Sequence, residues 1–153
     1  MIRVTVWNEF QHERTQEKVK EIYPDGIHTC IAKFLGQEEE LSVRTAVFDE
    51  KEHGLTEEVL ANTDVLVFWN HMLQEEFSDD VAERVRRHVL AGMGLVVLHS
   101  GHYSKIMRKL LGTSMTLRWR HGIVRDCSVR VRPIRSRRDS GMGGYSGGRD
   151  GTG

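Results

Sequence analysis

The chain alternates between short apolar runs and longer segments in which apolar residues recur every three or four positions. Short runs rich in Val, Ile and Thr are typical of strands, and the three-to-four spacing is typical of helices. The runs lie at 2–7, 41–48, 64–69 and 95–98, and the helical patterns lie at 15–22, 27–35, 56–60 and 79–90, with one more after Ser104. This order predicts one α/β domain with a mostly parallel sheet, right-handed crossovers and helices on both faces.

Residues that cap helices mark three of the predicted helix starts. Thr15, Thr56 and Ser78 each precede a helical pattern. A Ser or Thr side chain at that position accepts a hydrogen bond from a backbone amide of the first turn. The run 41–48 alternates apolar and polar residues, which predicts a strand nearer the edge of the sheet.

The run 95–98 and the segment after it form the most distinctive junction in the sequence. The run is apolar throughout, which predicts a central strand buried on both faces. A His-Ser-Gly-His turn follows at 99–102, and Ser104 then begins a helix whose free N–H groups point back at the turn. Ligands of open α/β sheets bind at such junctions, and free N–H groups favour an anion or a developing oxyanion there.

Polar side chains that suit a binding or catalytic site follow three of the predicted strands. Because the carboxyl ends of parallel strands open at the same edge of a sheet, we expect these side chains to converge. The predicted substrate-binding residues are Asn8, His12, Trp69, Asn70 and His71, and the predicted catalytic residues are His99, Ser100 and His102.

Two chemistries fit these residues, and the sequence leaves both open. Imidazole is a common ligand of zinc, so His12, His71 and His102, together with Glu13, are candidate ligands of a divalent metal. Their spacing does not follow the HExxH pattern of zinc enzymes. Alternatively, a histidine acts as general acid or base while Ser100 or the helix N-terminus stabilises an oxyanion.

The net charge of zero conceals two regions of opposite charge. Residues 1–117 carry 13 Lys and Arg against 19 Asp and Glu, a charge of −6, while residues 118–153 carry 9 Arg against 3 Asp, a charge of +6. We expect a folded domain at 1–120 and an Arg/Gly/Ser-rich tail at 121–153 that is disordered from about Arg135. The tail lacks interleaved aromatic residues, so no specific nucleic-acid partner is expected. Without a membrane-span or signal-peptide pattern, we expect a cytoplasmic protein with no membrane partner.

Several motifs together make the chain resemble one known family. They are Val-Trp-Asn-Glu-Phe-x-His-Glu at 6–13, Tyr-Pro-x-Gly-Ile-His at 23–28, Glu-His-Gly-Leu at 52–55 and Gly-Met-Gly-Leu-Val-Val-Leu-His-Ser-Gly-His-Tyr-Ser-Lys at 92–105. Across roughly residues 2–120 the chain resembles the ThuA-like, or trehalose-utilisation, family. The resemblance implies a flavodoxin-like three-layer αβα fold related to class I glutamine amidotransferases. It also implies a small-molecule sugar partner, namely trehalose or a related, including oxidised, disaccharide.

The resemblance limits the activity that we expect. Amidotransferases place a nucleophilic Cys at the turn after this strand, where His99 stands here, so we expect no glutamine hydrolysis. Two functions remain open, an enzyme of disaccharide catabolism and a non-catalytic carbohydrate-binding or regulatory module. The family fold also predicts a homodimer.

The C-terminal region departs from the family pattern. Family members continue beyond Arg120 into further strands, whereas Arg, Gly and Ser predominate there in this sequence. We therefore expect a fold that is incomplete at its C-terminus, through a shifted or truncated reading frame, and a chain without catalytic activity.

Overall fold

The structure is a computed structural model that describes residues 1–116 of the 153-residue chain. The predicted tail at 121–153 and its disorder from Arg135 lie outside the described residues. Within residues 1–116, no helix is long and apolar enough to cross a membrane.

A four-stranded parallel sheet forms the centre of the described part of the chain. Its strands follow the order β2-β1-β3-β4, and every adjacent pair is parallel. The strands are β1 at Ile2–Asn8, β2 at Leu41–Val47, β3 at Val65–Trp69 and β4 at Gly94–Val97. The predicted α/β class is confirmed, and the strand order is that of a flavodoxin-like sheet.

Helices connect the strands and lie on both faces of the sheet. They are α1 at His12–Thr15, α2 at Glu17–Ile22, α3 at Ile27–Leu35, α4 at Glu57–Ala61, α5 at Asp79–Leu90 and α6 at Lys105–Leu111, with 3-10 turns at Lys51–Gly54 and His99–Tyr103. The 3-10 turn His99–Tyr103 separates β4 from α6, so α6 begins further along the chain than a direct strand-to-helix turn would place it.

Hydroxyl side chains cap three of these helices. Thr56, Ser78 and Ser104 accept hydrogen bonds from amides in the first turns of α4, α5 and α6. The predicted cap at Thr15 is wrong, because α2 begins after Gln16 and has no side-chain cap. The Thr15 hydroxyl instead donates to the carbonyl of Gln11, one turn earlier in α1, so it does not cap α2.

The larger core lies on the face of the sheet that α4, α5 and α6 cover. Trp7 and Phe68 stack on adjacent strands with ring centroids 4.5 Å apart and planes 12° apart. Leu66, Val85 and Ile106 are fully buried in the same cluster. Each such aliphatic side chain contributes about 1.5–3 kcal/mol on burial, so this core accounts for much of the attachment of α5 and α6.

The opposite face is covered by α3 over only part of its width. Val4, Val6 and Val67 form a smaller core with residues of α3. Beside them an open apolar groove of about 470 Å³ extends to β4, where Val96 is 46% exposed. Phe34, at the rim of the groove on α3, is 69% exposed.

The location predicted for the strand at 95–98 is wrong for the described part of the sheet. β4 is an edge strand there, and its residues are only partly buried or exposed. An apolar run rich in Val has the same appearance whether both faces are covered or one face lines an open groove. The edge location predicted for the strand at 41–48 is confirmed by β2.

Candidate functional site

The carboxyl ends of β1 and β3 meet at the point where the strand order reverses. β2 follows β1 in the chain and pairs on one side of it, whereas β3 pairs on the other side. The register sets Asn8 opposite Trp69, so the loops after these strands leave the sheet at the same level. A crevice at such a switch point is the usual ligand site of an open parallel sheet.

Three rings from these two loops form a cluster that we call the ring cluster: His12, Trp69 and His71. The centroid of the His12 ring lies 5.4 Å from that of Trp69 and 5.1 Å from that of His71. The Trp69 and His71 rings are parallel within 4°, with centroids 6.5 Å apart. The structure thus brings together three of the predicted site residues, and His71 is exposed to solvent.

A carboxylate that the sequence analysis did not select lies beneath the ring cluster. The Glu9 side chain is fully buried and accepts hydrogen bonds from the backbone N–H groups of His71, Met72 and Leu73, at 2.9, 2.9 and 3.0 Å. Its Oε1 atom lies 3.4 Å from Nδ1 of His12. The available signal was an acidic residue one position beyond a buried strand, but nothing local shows that its partners lie more than 60 residues away.

A second buried polar group forms around Asn8, which was predicted to bind substrate. The Asn8 amide nitrogen donates to Oε1 of Glu13 at 2.7 Å and lies 3.3 Å from Nδ1 of His28, and its oxygen accepts from the N–H of Phe10. The same Glu13 oxygen accepts from the N–H of Ile27 at the start of α3. Asn8 therefore holds the loop in place, and its role as a sugar ligand stays a prediction.

Burial perturbs the histidine of this group. The ring of His28 packs against the edge of Phe10, and only 7% of the residue is exposed. Burial lowers the pKa of His28, and the carboxylates of Glu13 and Glu50 offset this only in part.

The predicted residues Asn70 and Ser100 lie deeper, between β3 and the segment after β4. Asn70 is fully buried, and neither polar atom of its side chain has a hydrogen-bond partner among the described residues. The Ser100 hydroxyl is buried and equally unpaired within residues 1–116. Gln74 links the two segments by donating to the carbonyls of Asn70 and Ser100, at 3.4 and 3.0 Å. Unpaired buried polar groups reduce stability, which makes this position a candidate for function.

We call residues 98–104 the elbow, because the chain changes direction there between β4 and α6. His99 has a φ of +39°, a left-handed conformation that costs a residue with a side chain about 1–3 kcal/mol. Nδ1 of His102 lies 3.1 Å from the carbonyl oxygen of His99. Gly101 packs so closely on the end of β4 that a Cβ atom would lie 2.8 Å from a methyl carbon of Val97.

The predicted metal ligands are not assembled as a site. His12 and His71 are neighbours, but within residues 1–116 no group of three or more His, Cys, Asp or Glu side chains is arranged to hold a metal ion. Nδ1 of His12 faces the Glu9 carboxylate at 3.4 Å, which suits an electrostatic contact between the two groups. The described residues therefore do not fit the zinc site that the sequence suggested.

Fold and site together define an α/β protein of flavodoxin-like topology whose candidate site lies at the β1–β3 switch point. The model of the ThuA family, described as trehalose utilisation, matches residues 3–140, and the chain belongs to this family. The predicted family membership is thus confirmed, and the match extends past Arg120, where the sequence analysis placed the domain boundary. No curated protein matches the chain.

Proposed function

We propose that the chain acts in the utilisation of trehalose or a related disaccharide, and that it binds the sugar at the ring cluster. The carrying observation is the convergence of His12, Trp69 and His71 at the switch point. Sugars have apolar C–H faces that pack against aromatic rings, and hydroxyl groups that pair with ring nitrogens. The ring cluster offers both kinds of contact in one place.

Histidine chemistry is the form of catalysis that the site favours. An imidazole exchanges a proton near neutral pH, so His71, which is exposed, is a suitable general acid or base for a bound sugar hydroxyl. A serine nucleophile is disfavoured, because the Ser100 hydroxyl is buried and no base in residues 1–116 accepts its proton. His99 and His102 of the elbow remain candidate acid–base groups.

The environment of Ser100 also agrees with a second, non-catalytic function. A carbohydrate-binding or regulatory module needs the ring cluster but no activated nucleophile, and the buried hydroxyl of Ser100, which has no partner among residues 1–116, agrees with this. The two functions differ in whether a bound disaccharide is changed.

Calorimetric titration of the full chain with trehalose and with its oxidised forms, followed by product analysis, tests the proposal. We expect binding that weakens about tenfold or more in Trp69→Ala and His71→Ala, since each variant removes a direct contact. His88→Ala is the matched control, because this histidine lies on α5 and pairs with Glu57. Binding with product formation favours the enzyme, and binding without product favours the module. Equal affinity in all variants would reject the ring cluster as the site.

A further inference from the structure

A single buried carboxylate contacts both histidines of the ring cluster. Glu9 accepts from the backbone N–H of His71 through Oε2 at 2.9 Å, and its Oε1 lies 3.4 Å from Nδ1 of His12. Nδ1 of His12 is itself buried and makes no hydrogen bond within the described residues, so its contact with the Glu9 carboxylate is electrostatic. Glu9, in the loop after β1, thus connects this loop to the loop after β3.

The surroundings of Glu9 compensate its charge with backbone dipoles. A buried carboxylate is costly unless hydrogen-bond donors surround it, and the three successive N–H groups of residues 71–73 converge on this one. The negative charge also favours a proton on the ring nitrogen of His12 that faces it. When Nδ1 of a neutral imidazole carries the proton, Nε2 is left as an acceptor.

We propose that Glu9 is a positioning residue of the sugar site, which holds the ring proton of His12 on Nδ1 so that Nε2 accepts a hydrogen bond from a sugar hydroxyl. That a sugar hydroxyl is the partner of Nε2 rests on the function proposed above, whereas the assignment of the ring proton to Nδ1 does not. Glu9 also fixes the position of His71 through its backbone, so one side chain orients both imidazoles against the ligand.

Long-range ¹H–¹⁵N correlation spectra of the full chain, with ¹⁵N-labelled histidine at a pH where His12 is neutral, report this tautomer directly. The His12 signals are assigned by their loss in His12→Gln. We expect the Nδ1–H tautomer in the wild-type chain and a mixture of tautomers in Glu9→Gln, because the neutral amide no longer attracts the ring proton. Trehalose affinity should fall about tenfold in Glu9→Gln, as for other residues that orient a ligating histidine.

Thr63→Val is the matched control for loss of stability. It removes the buried Thr5–Thr63 hydrogen bond of 2.7 Å before β3 begins, so the chain is weakened away from the ring cluster. The control should retain the wild-type tautomer and affinity. An Nε2–H tautomer in the wild-type chain would overturn the proposal even if Glu9→Gln does not fold. An unchanged tautomer in a folded Glu9→Gln variant would also overturn the proposal. If the tautomers are as expected but trehalose does not bind, only the sugar ligand is rejected and the role of Glu9 stands.

Discussion

Individual buried polar residues hold the loops of the candidate site. His28 is the clearest case, because burial lowers its pKa and its Nδ1 lies within hydrogen-bond distance of the Asn8 amide. The neutral ring can accept from that amide, whereas the protonated ring cannot. The structure around Asn8 therefore depends on His28 staying neutral.

Because of His28, the chain should become less stable as the pH is lowered. The unfolded chain binds a proton near pH 6.5, but the folded chain resists protonation because its pKa is lower. The contribution of the neutral ring is thus fully present above about pH 6.5 and is lost as the pH falls toward the folded pKa. Glu13 and Glu50 oppose this shift, and Arg14 reinforces it.

Urea unfolding of the wild-type chain and of His28→Gln between pH 8 and 5 measures this effect. Gln retains a hydrogen-bond acceptor but does not titrate, so we expect a smaller loss of stability below pH 6.5 in the variant. Identical pH profiles for the two chains would show that His28 is not responsible.

The residue scale also shows what a sequence alone does not reveal. Apolar spacing and His content were enough to select His12, Trp69 and His71, because they lie at or shortly after the carboxyl ends of predicted strands. Asn8 and Glu9 are adjacent polar residues at the end of β1, yet Glu9 contacts the backbone of residues 71–73 and Asn8 contacts Glu13. Such partners are decided by which strands pair, and no local pattern encodes that.

At the scale of elements, the elbow packs closely against the end of β4. A Cβ atom on Gly101 would lie 2.8 Å from a methyl carbon of Val97, whereas its distance of 3.4 Å from the Phe68 carbonyl oxygen of β3 is an ordinary contact. A side chain there must therefore displace Val97 or the elbow. Because Gln74 ties Ser100 of the elbow to Asn70, this shift should alter ligand binding as well as stability.

Gly101→Ala should lower the free energy of unfolding by about 1–3 kcal/mol, as overpacking does elsewhere, and weaken trehalose binding. Gly112→Ala is the matched control at the other end of α6. Its φ is +65° and no atom of the described chain lies within 4 Å of the added Cβ, so it strains the backbone without moving the elbow. Urea unfolding and calorimetry measure both quantities. Equal losses of affinity in the two variants would contradict this account.

The helices and strands themselves were largely predictable from the sequence, but what lies beside each of them was not. Thr56 and Ser78 mark helix starts because the signal lies within a single turn. The position of β4 at the edge of the described sheet was missed because the apolar run at 95–98 carries no information on what lies beside it. Thr15 was misread because a hydroxyl near a helix start has competing partners, here the Gln11 carbonyl.

At the scale of the whole molecule, the apolar groove beside α3 is an unpartnered surface of the described residues. Phe34 and Val96 border it and are 69% and 46% exposed. Contiguous apolar surface promotes association, so we expect the chain to self-associate as its concentration rises. The homodimer predicted from the sequence is tested by the same measurement.

Phe34→Ser should reduce this association and change the free energy of unfolding by no more than about 0.5 kcal/mol, as expected for an exposed side chain. Ile22→Ser is the matched control, because Ile22 is 68% exposed and does not line the groove. Sedimentation velocity over a range of concentrations, with urea unfolding, measures both effects. An equal reduction in both variants would show that the groove has no special part in association.

Glu9 contacts the loop of residues 71–73 through the backbone of that loop, so these contacts do not depend on the side chains of the loop. Because the carboxylate binds N–H groups, its contacts with residues 71–73 require no particular side chain there and exclude only proline, which has no N–H. Met72 is 48% exposed and free to vary. A library randomised at 71–73 without proline should therefore contain many folded members, whatever the effect of each member on ligand binding.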